Sequence, residues 1–289
     1  MAHTFATVLG DEVADADEGA ETFDLFSHFH SSQDLGMVDG KATEVEVTVA
    51  GRDFTIKQSP GLLRSNREAG TTGAAVWRTS VRFAEWLAWS ANPLFLGGVL
   101  DSSSSVLELG TGISALAPIM IGERVKKVIA TDQQYTLKLL QENISSNVRK
   151  SRQPSGPGSG KNIDVCALDW ETDDIPSFVR MHVGEDGFDA VVACDCVFNY
   201  ALIQPLVDTC IETCRARKSV ATQHQPTACI IAQQLRQPEV FEQWLNAFIK
   251  AFRVWRVPDE LIRGCGQEPA GFVIHIGILQ PHIDAEKST

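Results

Sequence analysis

Two short stretches of this chain carry residue types that can do chemistry. In "ACDCVFNY", Ala193 to Tyr200, Asp195 stands between two cysteines and Phe198 follows three places on. A carboxylate there could orient a polar group, and an aromatic face nearby could hold a cation. The cysteines raise two rival chemistries, and a plain buried strand end is a further reading. A metal clasp needs three or four ligands, yet Cys194 and Cys196 have no neighbouring His or second Cys pair, so no metal site is expected. A cysteine nucleophile needs a base and an electropositive setting, and no His stands near it in the chain. Buried, inert thiols are the expectation for both.

The second stretch, "VLELGTGISALA", places Glu108, Gly110, Thr111 and Gly112 at the end of an apolar run. A strand ending in Gly-x-Gly and opening a helix lets the backbone turn sharply and approach a ligand where a Cβ would clash. Dinucleotide binders need G-x-G-x-x-G, and here the third position is Ala115. The next strand ends in Asp132, at the roughly 20-residue spacing where an acid accepts both ribose hydroxyls. Asp132 could equally cap the helix that follows it. A third strand ends in "LDW", and the Trp170 ring could lie against adenine or pack on its own helix. These features leave an NAD oxidoreductase and an S-adenosylmethionine enzyme open. The missing third glycine and Glu108 before the turn favour the latter.

Such residues need a scaffold. "TEVEVTVAGRDFTIKQSP" alternates through Val45, Val47 and Val49, turns at a glycine and continues through Phe54 and Ile56, which predicts a β-hairpin. Val76, Ser80, Phe83, Leu87 and Ala91 follow at helical spacing, ending before Pro93. From residue 105 strands and helices alternate: "SVLELGTG", "KKVIATD", "NIDVCALDW", "FDAVVACD", "TACIIAQQL" and "GFVIHIGILQ" read as strands. Between them "ISALAPIMIGE", "YTLKLLQENISSNVRK", "LIQPLVDTCIETCRARK" (with Pro205 in its first turn) and "VFEQWLNAFIKAF" read as helices. That alternation predicts an α/β fold with a doubly wound, mostly parallel sheet. Residues 1–40 are acidic and aperiodic, so a partly disordered or loosely docked arm is expected. Residues 41–283 would form one domain, with 149–162 a flexible basic loop and 284–289 a tail.

The bulk numbers narrow the class. At 289 residues with 44% hydrophobic and 21% charged content, the chain has the composition of a soluble globular protein. Its apolar runs fall far short of the roughly 20 residues that span a bilayer, and the N-terminus lacks the pattern of a signal peptide. Seven cysteines, an odd number, point to reduced thiols in the cytoplasm, with the nucleus as the alternative. The formal charge of −12 disfavours direct nucleic-acid binding and suits a basic protein partner, although acidity for solubility alone is common.

With these residues assembled, the chain resembles the seven-strand class I methyltransferases. It is most similar to the family-16, methyltransferase-21-like protein lysine methyltransferases. The resemblance spans about residues 44 to 280 and rests on the hairpin, "TTGAAVWRTSVRFAEWL", "VLELGTGIS", "IATD", "LDW" and "ACDCVF". Relatives carry a third glycine where Ser114 stands. "ELGTGIS", "CDCVFN" and the basic loop look most like the fungal ribosomal lysine methyltransferase 5 group, which acts on a 60S ribosomal protein of the L1 type.

The resemblance implies a Rossmann-like seven-strand sheet and S-adenosylmethionine as cofactor; a monomer is expected. It implies that Gly110, Thr111 and Gly112 line the methionine part of the cofactor, with Glu108 supporting the turn. It further implies that Asp132 holds the ribose, Trp170 borders the adenine, Trp77 closes over the cofactor and Cys194 touches it through its backbone. Asp195 and Phe198 fit the family's Asp/Glu-x-x-Tyr/Phe pattern at the acceptor, with Asn199 and Tyr200 as further candidates. Methyl transfer to an amine is an in-line displacement, so alignment is the main task. The lysine must be neutral, and desolvation in an aromatic slot lowers its pKa. A carboxylate at Asp195 would orient the amine but favour its charged form; the two effects oppose, so Asp195 is assigned to positioning first and to proton acceptance second. Rival readings are a small-molecule amine methyltransferase, a non-catalytic cofactor-binding module and, weakest, an NAD dehydrogenase.

Overall fold

The computed structural model describes residues 2–13, 20–29, 36–64, 71–148, 160–217 and 225–281. The described residues form a two-stranded ribbon and a seven-stranded sheet. The ribbon pairs β1 (Glu44–Val49) with β2 (Arg52–Lys57), with Val49 opposite Arg52. Its turn places both Ala50 and Gly51 at positive φ, the backbone that suits a two-residue hairpin.

The large sheet contains β3 (Ser105–Leu109), β4 (Lys127–Asp132), β5 (Ile163–Ala167), β6 (Ala190–Cys194), β7 (Ala228–Gln234), β8 (Phe252–Arg256) and β9 (Phe272–Leu279). Their order is β5-β4-β3-β6-β7-β9-β8. The first five run parallel, and β9 is antiparallel to both β7 and β8. Strand order reverses between β3 and β6, and ligands of such sheets bind outside the carboxyl ends at that point. The sequence alternation missed β8, which begins directly where the preceding helix ends, so no turn residue marks it.

Helices in chain order are α1 (Ala2–Leu9), α2 (Ala20–His28), α3 (Pro60–Leu63), α4 (Arg78–Ala88), α5 (Pro93–Leu96) and α6 (Leu116–Gly122). They continue with α7 (Leu137–Asn147), α8 (Ile175–Val183), α9 (Tyr200–Ala216), α10 (Pro238–Ala251) and α11 (Asp259–Arg263). Val106, Val128, Val192 and Ile230 face one layer with α4, α6, α7 and the ribbon. Leu107, Ile129, Val191 and Ile231 face the other, with α8, α9 and α10. Because both faces are covered, the strands read as continuous apolar runs rather than alternating ones. Fully buried Trp86, Trp244 and Trp255 anchor these layers, each such large side chain contributing about 1.5–3 kcal/mol or more by burial.

Part of the acidic arm is structured. In α1, Phe5 and Leu9 are buried, with Phe5 packed on Trp255 at a centroid distance of 5.6 Å. In α2, Leu25 is buried and Phe26 meets Phe241 edge-on. Residues 14–19 and 30–35 of that arm, residues 149–159 of the basic loop and the 284–289 tail lie outside the described residues. Pro205 stands in the interior of α9 rather than its first turn, because the helix begins earlier, at Tyr200. Asn143 and Asn147 of α7 tie the ribbon to the sheet. Asn143 accepts from the Lys57 amide at 3.0 Å and donates to the Ile113 carbonyl at 2.7 Å, so α7 also fixes the glycine turn.

Candidate functional site

The glycine turn leaves β3 at Leu109. Gly110 and Gly112 adopt φ of 65° and 63°, the left-handed region where a side chain is strained. A Cβ on Gly110 would lie 2.7 Å from Cys196 Sγ and 3.3 Å from the Trp170 ring, so the position is closed to anything larger. The turn is tied to β4 by Thr111 N–H donating to the Thr131 carbonyl (3.0 Å) and by Thr131 Oγ1 donating to the Glu108 carbonyl (2.6 Å). Ile113 N–H donates to the Gly73 carbonyl at 2.9 Å, bringing the segment before α4 over the turn.

Asp132 ends β4 beside this turn. Its Oδ2 accepts from Gly112 N–H and its Oδ1 from Gln133 N–H, both at 2.7 Å. Each oxygen keeps a further lone pair for a ligand hydroxyl. The N-cap position of α7 belongs to Thr136, so capping is not what Asp132 does. Burial pushes the Asp132 carboxyl upward from its usual value, against the pull of the Gly112 and Gln133 amides. Glu108 is fully enclosed: burial raises its carboxyl to about 8, the Thr111 hydroxyl opposes this and the Asp132 carboxylate adds to it.

The facing wall begins at Asp195, one residue past β6, with φ 59° in a region non-glycine residues rarely occupy. Its side chain is 6% exposed. Its carboxylate takes a bidentate pair of bonds from Arg236, Nη1 to Oδ1 at 2.6 Å and Nη2 to Oδ2 at 2.7 Å. Thr79 Oγ1 donates to Oδ2 at 3.0 Å and Gln234 N–H to Oδ1 at 3.4 Å. The Asp195 carboxylate therefore already accepts from four donors. The Arg236 guanidinium lies 5.5 Å from the Trp77 ring centroid.

Phe198 lies on the same wall and is 39% exposed. Asn199 caps α9 by accepting from Ala201 N–H, and Tyr200 opens the helix half-exposed. Burial pushes both the Cys194 and Cys196 thiols well above their ordinary range. Cys196 sits beyond the strand end and its Sγ donates to the Leu109 carbonyl at 3.4 Å, so the two thiols do not share a strand face. Among the described residues no cluster of three His, Cys, Asp or Glu side chains could hold a metal ion. None of the described helices is long and apolar enough to cross a membrane.

One cavity of about 330 Å³ joins these parts. Gly110, Thr111, Gly112, Asp132 and Trp170 line it at the strand ends and glycine turn, Cys194, Asp195, Phe198, Gln233 and Arg236 line the facing wall, and Trp77 lines it beside Arg236. Glu108 does not line the cavity, and its backbone carbonyl accepts from Thr131 Oγ1. The Trp77 ring is fixed by its Nε1–H donating to the Thr72 carbonyl at 2.9 Å. The residues fit a nucleoside carrying an amino-acid tail: an acid for hydroxyls, an indole for a base and bare backbone at the glycines. Glu108 Oε2 and Gln233 Nε2 are buried without a hydrogen-bond partner, and a buried polar group left so costs about 1–3 kcal/mol. Sequence reasoning did not single out Gly73, Thr79, Gln233 or Arg236. The signal available for Arg236 was a cation just past the buried strand "ACIIAQQL", at the sheet edge that also carries Asp132 and Asp195.

A family model described as lysine methyltransferase matches residues 56–237. A ribosomal lysine N-methyltransferase 5 from Zygosaccharomyces rouxii is 28% identical over 235 residues, covering 70% of this chain and 72% of that protein. Its counterpart from Kluyveromyces lactis is 28% identical over 268 residues, covering 75% and 82%. A diaminohydroxyphosphoribosylamino-pyrimidine deaminase from Schizosaccharomyces pombe is 31% identical over 224 residues. That match covers 76% of this chain and 48% of the deaminase, so the chain spans about half that relative's length. Among solved structures, an rRNA methylase from Streptococcus thermophilus overlaps at a TM-score of 0.39 and 15% identity, covering 71% of this chain and 99% of that one. The N-methyltransferase NodS from Bradyrhizobium japonicum overlaps at 0.40 and 10%, covering 69% and 84%. Overlaps this partial carry no argument about function.

Proposed function

The chain belongs to the lysine methyltransferase family, and on that premise we propose that it methylates a lysine of a basic 60S ribosomal protein of the L1 type, in the cytoplasm. The observation that carries this reading is a continuous cavity lined by Asp132 and Trp170 together with Asp195 and Phe198. When bound, S-adenosylmethionine supplies a sulfonium-borne methyl group open to in-line attack by an amine.

The chain's own residues do the rest by holding and excluding. Asp132 accepts from the ribose hydroxyls, and its two backbone donors keep the carboxylate aimed. Trp170 and Trp77 border the cofactor, and the glycine turn admits its amino-acid end. Phe198 offers an aromatic wall to a lysine stem, and the buried Cys196 and Val197 before it exclude water that would keep an amine charged. The charge of −12 attracts a basic partner at low ionic strength and less so in salt.

The test is transfer of labelled methyl groups to 60S subunits from a strain lacking the activity, resolved by protein. Label confined to an L1-type protein is the expected result. Label on another ribosomal protein would overturn the substrate assignment and keep the reaction. No label, with S-adenosylhomocysteine bound in calorimetry, would overturn the reading.

A further inference from the structure

The acceptor end of the cavity holds an arrangement that the family pattern around Asp195 does not contain. A lone carboxylate beside an entering lysine stabilises the ammonium, the form that has no lone pair with which to attack. Here that carboxylate is gripped through both oxygens by Arg236, and Thr79 and Gln234 fill the remaining directions. The pair is nearly sealed, at 6% exposure for Asp195 and 22% for Arg236, so solvent does little to screen it. An entering amine meets a closed ion pair whose charges cancel, beside the apolar faces of Phe198 and Trp77.

We propose that Arg236 is a positioning residue for methyl transfer: by neutralising Asp195 it keeps the acceptor slot free of net charge, so the target lysine enters as the neutral amine. This rests on the reading of the chain as a lysine methyltransferase. In the transfer, the amine lone pair forms the new N–C bond as the S–C bond breaks, and the breaking bond's electrons return to sulfur as a thioether. The nitrogen gains the positive charge that sulfur loses, and its extra proton departs later to water. Asp195 need not take that proton, since four donors already occupy its oxygens.

Other charged groups border the pair. Cys194 and Cys196 stay protonated through burial, Glu108 titrates at about 8, Arg82 reaches the Gln234 side chain at 3.2 Å, and Asp132 faces it across the cavity. All are present in wild type and variants, and the Asp195 charge itself raises the two thiols further, so the double variant, which removes both charges of the pair, is the control for its neighbours.

The experiment measures single-turnover methylation of 60S subunits against pH for the full-length protein and three variants. Arg236→Gln leaves Asp195 uncompensated, so the acid limb moves up by about one pH unit and the rate at neutral pH falls about tenfold, recovering at high pH. Asp195→Asn/Arg236→Gln removes both charges and brings the limb back towards wild type. Arg236→Lys keeps the charge, so it keeps the limb, whereas a purely structural fork would fail in both single variants. Calorimetry with S-adenosylhomocysteine accompanies each variant, and affinity within about threefold of wild type shows an intact fold and cofactor end. An unmoved limb in Arg236→Gln, or a faster rate at every pH because Arg236 merely plugs the slot, would overturn the proposal and leave the methyltransferase reading in place. If the wild type itself labels no lysine, that reading falls and the proposal with it.

Discussion

Asp132 Oδ2 and the backbone nitrogen of Gly112 lie 2.7 Å apart, so the acid at the end of β4 and the turn at the end of β3 form one unit. A carboxylate held this way is aimed before any ligand arrives. Asp132→Asn keeps the size but places an amide donor against one of the two N–H groups. Affinity for S-adenosylhomocysteine should fall about 10- to 100-fold, with a stability loss of about 1 kcal/mol. Calorimetry alongside urea denaturation checks both. An unchanged affinity would remove Asp132 from the cofactor site.

Gly110→Ala tests the close approach at the turn. The added Cβ meets Cys196 Sγ at 2.7 Å and must adopt a left-handed φ of 65°. The expected cost is about 1–3 kcal/mol, together with weaker cofactor binding as Trp170 is pushed aside. Pairing it with Cys196→Ala should recover part of the stability, since that removes the sulfur. Equal losses in the single and double variants would contradict the clash.

Stability should fall as pH rises from about 4.5 to about 8, because of Glu108. In the folded protein burial holds its proton up to about 8, whereas the unfolded chain releases it near 4.5. Between those values the native state binds more protons, so each unit of pH costs at most about 1.4 kcal/mol, levelling off above 8. Glu108→Gln loses this slope and gains on the wild type across the window. Urea denaturation at several pH values reads the difference, and parallel curves for the two proteins would refute the assignment.

The cysteines beside Asp195 should be bystanders. Cys196 is buried and Cys194 is part-buried like Cys166 and Cys265, but burial raises the Cys194 and Cys196 thiols furthest, so alkylation of the native protein should reach Cys166 and Cys265 first. Cys196→Ala should keep methyl transfer within about tenfold, a loss traceable to packing against the turn. Loss of transfer with cofactor binding and fold intact would revive a chemical role for the thiol.

The parallel core of the fold was legible because each of its elements carries a local sign. β3, β4 and β6 are apolar runs ending at Gly110, Asp132 and Asp195, and α4 and α7 show their buried face at helical spacing. β8 was hidden because "FRVWR" continues straight from α10 without a turn residue. The packing of α1 was hidden because Phe5 and Leu9 form too short a stripe to show a period. On the site, Asp132, Gly110 and Trp170 could be placed from strand ends alone. The saturation of Asp195 could not, since Thr79 and Arg236 stand 116 and 41 residues away in the chain and meet it only through the sheet. Side-chain pairing across strands leaves no trace in local spacing, so the donors around Asp195 could not be read from the pattern that marked it.

The most direct test of the central claim is tandem mass spectrometry of 60S subunits after incubation with the purified protein and S-adenosylmethionine. The account predicts a gain of one or more methyl groups on the Nε of a single lysine, absent when Asp132→Asn replaces the wild type at limiting cofactor. A methyl group on an Asn or Gln amide, or no mass change while cofactor binds, would contradict it.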